Sequence, residues 1–186
     1  MPNFEYRGLM REPSALMFSR ALHDRLLRAV LDRHPRKSFG YLVSDGSLFQ
    51  PVDFVLFEGN DRNVGPWQQE FWRRGRYFVD HEDAGFVATP EESWKVQKLL
   101  AVRGLFEIGV FHTHQRHPAN FSSIDYDMHV RRFDNLWHLV ISLRNVALPQ
   151  VRAFAVSHYG VREIEVHFMD ENGTGDIERG PSARRS

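Results

Sequence analysis

The stretch Leu105–Asp125, LFEIGVFHTHQRHPANFSSID, decides how this chain is read. An apolar run ends in His112 and His114 with Thr113 between them. Asp125 follows eleven residues beyond His114, with Ser122 three before it. Alternate residues of a strand face the same side, so both imidazoles can point at one ion. A carboxylate from the next element completes three ligands and leaves a fourth position open, the donor pattern of a catalytic rather than a structural zinc. Ser122 stands at the start of the helix expected to carry Asp125. Backbone N–H groups and the helix dipole converge there, which makes Ser122 the candidate donor to an oxyanion; it also reads as a plain N-cap. On spacing alone the cap is favoured, and one hydroxyl can serve both roles.

The remaining composition bounds the chemistry. The chain has 186 residues, 42% hydrophobic and 26% charged, a length that suits one domain with a substantial core. No run approaches the roughly 20 apolar residues that span a bilayer, so no membrane association is expected. The opening MPNFEYRGLMREP has no apolar signal core, and cytoplasmic residence is the expectation. Lysine plus arginine and aspartate plus glutamate balance at 24 each, which argues against a nucleic-acid face. Cysteine is absent, so any metal must be held by histidine and carboxylate. Ten histidines make a fortuitous His pair easier to find, and the pair is discounted for it.

Working outward, Gly104 stops a helix that Thr89, Pro90 and Glu92 start: N-cap, first helical position and capping-box partner. Val96, Leu99 and Leu100 form its buried stripe. Leu105–Phe111 is then a buried strand that delivers the histidines. Upstream, residues 14–19 predict a strand and Ser19 caps a helix to about His34, with Leu22, Leu26 and Val30 at helical spacing and Pro35 ending it. Ser38–Val43 predicts a strand, Asp45-Gly46 a hairpin turn, and Leu48–Phe57 the partner strand, with Pro51 marking a bulge or edge. Residues 58–88 read as a long connection with a short helix around Trp67, Phe71 and Trp72 and a strand at Tyr77–Val79. Downstream come a helix from Ser122 or Ser123 to about Arg132, a strand over Leu136–Leu143, and a hairpin of Val151–Val156 and Val161–Phe168. The division is an extension over 1–13, a metal-binding domain over 14–169 and a flexible tail over 170–186.

His112-Thr113-His114, seven residues, then Ser122-Ser123-Ile124-Asp125 resembles the JAMM motif, H-x-H-x7-S-x2-D, the signature of the MPN+ zinc metalloproteases. Gly109, three residues before His112, is similar to the glycine of that family's strand, and the order of elements agrees over roughly residues 14–168. The resemblance implies an α/β fold of the MPN (JAB1/MPN) kind, cytidine-deaminase-like, with a mixed sheet flanked by helices. It implies Zn²⁺ on His112, His114 and Asp125, with Ser122 as the catalytic oxyanion donor. The implied substrate is the C-terminal tail of a ubiquitin-like or sulfur-carrier protein, cut at a peptide or isopeptide bond. Two positions depart from the pattern. Gln115 follows the second histidine where proline is usual, and Lys37 occupies the place of the family's general-base glutamate, counted back from Gly40. A protonated lysine cannot accept a proton. Glu58, Glu107 and Asp127 are the other base candidates; alternatively the protein binds metal without efficient hydrolysis as an MPN-like interaction module, or the register at 35–40 is shifted. A His2Asp set also suits non-haem iron. Among the other histidines, His117 reads as a loop residue near the motif, His129 as a buttress for Asp125, and His138, His158 and His167 as sheet residues.

Overall fold

The computed structural model describes residues 15–81, 84–131, 133 and 136–169. The extension expected over 1–13 and the tail over 170–186 lie outside the described residues. Seven strands form one mixed sheet in the order β1-β7-β6-β5-β4-β2-β3. They are β1 (Ala15–Ser19), β2 (Phe39–Ser44), β3 (Asp53–Leu56), β4 (Phe106–His114), β5 (Trp137–Ser142), β6 (Gln150–Ser157) and β7 (Gly160–Met169). β1 runs parallel to β7 and β4 parallel to β5, while the other neighbours are antiparallel. This is the expected mixed α/β architecture, and its central strands are buried on both faces, as parallel pairing requires.

Helices cover both sides of the sheet. α1 (Arg20–Leu31) starts where the Ser19 hydroxyl accepts from Leu22 N–H, and it lays Leu22, Leu26 and Val30 against Leu16, Phe18, Leu139 and Ile141. Each such fully buried aliphatic side chain contributes about 1.5–3 kcal/mol. On the other face α4 (Pro90–Arg103) packs Val96 and Leu100 against Phe39, Val43, Phe57 and Val110. α5 (Ser123–Val130) follows β4 through the loop 115–122, and α2 (Gly65–Arg73) and α3 (Arg76–Asp80) lie in the long connection. No helix among the described residues is long and apolar enough to cross a membrane.

Several expectations need correction. The strand predicted over Leu48–Phe57 shrinks to Asp53–Leu56, because the chain before it is spent elsewhere. The Phe49 carbonyl accepts from Met17 N–H, and the Leu48 carbonyl from Trp137 Nε1, which draws that segment toward β1 and β5. Tyr77–Val79 is not a strand but the middle of α3. Leu99 is 45% exposed, so the stripe of α4 is Val96 and Leu100 alone. α4 keeps its Thr89 cap, but the Glu92 carboxylate leaves the box to accept from Glu58 N–H (2.6 Å) and Gly59 N–H (2.9 Å). It thereby ties the helix start to the end of β3. His158 lies in the turn between β6 and β7 rather than in a strand.

Candidate metal centre

The site grows out of the end of β4. Pairing with β2 sets Phe39 opposite His112, and Thr113 locks the register, donating its N–H to the Ser38 carbonyl and accepting from Ser38 N–H, both at 2.9 Å. With Thr113 turned away, His112 and His114 share the face that Val110 presents to α4. Gly109 is needed because a Cβ there would meet the Trp137 ring at 2.8 Å. The loop after β4 then bends back. His114 Nδ1–H donates to the Pro118 carbonyl (2.9 Å), and the Ser142 hydroxyl donates to the His117 carbonyl (2.6 Å). That return delivers α5 with its N-terminus over the histidines.

Three ligand atoms converge. His112 Nε2 lies 3.3 Å from Asp125 Oδ1, His114 Nε2 lies 3.8 Å from Asp125 Oδ2, and the two Nε2 atoms are 2.9 Å apart. Donors about 2.0–2.2 Å from a tetrahedral zinc stand roughly 3.3 Å from one another, so the set fits such an ion. His112 is fully buried, while the His114 and Asp125 side chains keep 14% and 11% exposure, so the site opens on their side. Among the described residues, this is the group of His and carboxylate side chains placed to hold a metal.

Ser122 caps α5 and does more than cap. Its Oγ accepts from Asp125 N–H (3.1 Å) and donates to Asp125 Oδ2 (2.6 Å), and its backbone N–H donates to the same oxygen (2.9 Å). The capping box therefore fixes the ligand carboxylate, with Oδ1 toward His112. Both histidines are held neutral, which is the form that coordinates. Burial pushes His112 well below its usual value, with Lys37, His114 and His129 adding in that order. Burial also lowers His114, against the pull of the Pro118 carbonyl.

Lys37 stands beside the cluster. Its Nζ lies 5.8 Å from the Phe86 ring, which sits 5.2 Å from the His112 ring, and its charge acts on both histidines. The other base candidates are engaged away from the cluster. Glu58 pairs with Arg33 and Arg36, Glu107 meets Gln97, and Asp127 bridges Arg74 (2.7 Å) and Arg131 (3.0 Å). His117 hydrogen-bonds Tyr77 Oη at 2.8 Å at the rim. His167 is the sheet residue expected, beside Glu165.

Two histidines differ from expectation. His129 does not buttress Asp125; its Nδ1 lies 3.0 Å from His138 Nδ1. His138 is not a passive sheet residue, for its Nε2 lies 2.6 Å from His112 Nδ1, completely buried. The signal was available in the sequence: His138 is the one ionisable residue in the apolar run Leu136–Leu143.

The sequence and the fold both find counterparts among known proteins. The family model described as prokaryotic homologs of the JAB domain matches residues 19–156. The fold is similar to a protein of Desulfitobacterium hafniense known from a solution structure, with TM-score 0.58 and 20% identity over 84% of this chain and 94% of that one. A Salinibacter ruber protein aligns with TM-score 0.55 and 19% identity over 89% and 99% of the two chains. A JAB1/MPN domain protein from Archaeoglobus fulgidus aligns with TM-score 0.44 and 16% identity over 83% and 99%, too distant to argue from. No curated protein matches the chain.

Proposed function

The chain belongs to the prokaryotic homologs of the JAB domain, and from that premise we propose that it is a zinc-dependent hydrolase of a peptide or isopeptide bond. Its proposed substrate is the C-terminal tail of a ubiquitin-like or sulfur-carrier protein. The observation that carries the reading is the convergence of His112 Nε2, His114 Nε2 and the Asp125 carboxylate within 4.8 Å of one another, with Ser122 at the same helix start. These three side chains would hold the ion. Zinc bound there supplies a Lewis acid toward a carbonyl. The protein's own part is to keep both imidazoles neutral, to aim Asp125 through Ser122, and to expose the His114–Asp125 side. A cytoplasmic place of action goes with the cysteine-free composition; a reporter fusion checks it.

Lys37 favours a second reading, a metal-binding module of weak activity. Its ammonium cannot take a proton from water, and no carboxylate other than Asp125 stands in the cluster among the described residues. The decisive experiment measures metal content of protein expressed without added metal, then cleavage of ubiquitin-like fusions extended past Gly-Gly. The hydrolase reading expects about one zinc per chain and cleavage abolished in Asp125→Ala; iron in place of zinc, or no cleavage at any loading, defeats it. Lys37→Glu separates the two readings. A large gain in cleavage shows that the base was missing, whereas a loss assigns Lys37 a role of its own.

A further inference from the structure

Behind the ligands lies a chain of three histidines, His112, His138 and His129, and we propose that His138 and His129 are positioning residues that fix which nitrogen of His112 faces the metal. The inference rests on the metal-site reading above. His112 Nδ1 lies 2.6 Å from His138 Nε2, and His138 Nδ1 lies 3.0 Å from His129 Nδ1. All three are at most 1% exposed. Aromatic rings wall them: Phe86 against His112, Phe121 against His138, and Phe133 against His129. Because His138 uses one nitrogen toward each neighbour, the three rings do not converge on a common point, so the chain is no second metal site.

A neutral imidazole carries one proton, and the direction of each hydrogen bond therefore sets the next. For His112 Nε2 to offer its lone pair, the proton must sit on Nδ1 and be donated to His138 Nε2. His138 must then carry its proton on Nδ1 and donate it to His129 Nδ1. His129 is left with its proton on Nε2, a buried atom. Remove the acceptor at His129, and His138 loses its reason to hold the proton on Nδ1. The proton can then move to Nε2, toward His112, and the ligand's own proton is driven to the metal side. An effect on metal binding from a residue two rings away is what a purely space-filling histidine would not produce.

The test is zinc affinity by chelator competition, with folding followed by circular dichroism. His138→Gln is expected to bind within a few-fold of wild type, because its amide accepts on one side and donates on the other. His138→Leu and His129→Phe are expected to lose roughly 10–100-fold, the usual cost of removing an outer partner of a ligand histidine. Should either apolar variant fail to fold, the ¹⁵N spectrum of zinc-loaded wild type decides: protons on Nδ1 of His138 and Nε2 of His129 support the chain, and the opposite pattern overturns it. Wild-type affinity in folded His138→Leu and His129→Phe overturns this inference alone. A wild type that takes up no divalent ion overturns the metal reading and this inference with it.

Discussion

Acidification in the presence of a chelator should destabilise this protein through His129. Burial lowers its pKa from 6.5 to about 4, against a partial pull from the backbone at Leu136. The folded state thus binds fewer protons than the unfolded chain between those values. The stability from the neutral ring is fully present above 6.5, is lost as pH falls from 6.5 toward 4, and changes no further below that. The whole shift corresponds to about 3 kcal/mol, and the part lost between pH 7 and pH 5 to about 2 kcal/mol. That is a large fraction of the roughly 5–15 kcal/mol that holds a domain folded. Urea unfolding at pH 7, 6 and 5 measures it, with His129→Gln as the reference because glutamine does not titrate. The variant's curve should flatten relative to wild type by about 2 kcal/mol over this range. Parallel curves would refute the reasoning, since they would mean that His129 takes up its proton without leaving the core.

Three further substitutions probe how the site is supported. Gly40→Ala places a Cβ 1.9 Å from the Val55 carbonyl, so β3 must separate from β2; a loss of at least about 3 kcal/mol by thermal unfolding is expected. Arg62→Met removes a buried guanidinium that donates to the carbonyls of Ala84, Phe78 and His81, and stability should fall by about 3 kcal/mol, with hydrogen exchange accelerating first over α3. Glu92→Ala strips the acceptor from Glu58 and Gly59 N–H; a loss of about 1–2 kcal/mol in urea is expected, with zinc affinity unchanged.

What could be read from the sequence, and what could not, divides by the range of the interactions. Ser19, Thr89 and Ser122 are legible as caps because capping joins residues three apart, and each accepts from the backbone N–H three residues on. The two-residue period of β4 likewise put His112 and His114 on one face. The boundary of β3 was hidden, because it depends on Met17 and Trp137 reaching for the carbonyls of Phe49 and Leu48. α3 was hidden for a related reason: the Phe78 and His81 carbonyls are gathered by Arg62, sixteen and nineteen residues away, which no local pattern records.

The candidate site shows the same division within a few ångströms. Its ligands lie close in sequence and were found together, whereas the partner of His112 comes from β5 through a parallel pairing that sets Val110 opposite His138. A buried polar group without a partner is costly, so a histidine within an apolar strand calls for another polar group on the adjacent strand or helix. Applied to Leu136–Leu143, that rule selects His138, and the face it shares with β4 leads to His112. The same reasoning bears on Lys37. Its charge opposes protonation of the two histidines from outside the cluster, while burial opposes it from within. Both effects keep the lone pairs available to a metal, although a cation so near also opposes the approach of one. Replacing Lys37 by methionine removes the repulsion and leaves the burial. If zinc affinity then rises about tenfold, the lysine limits metal occupancy; if it falls, the lysine's main effect is to keep the histidines unprotonated.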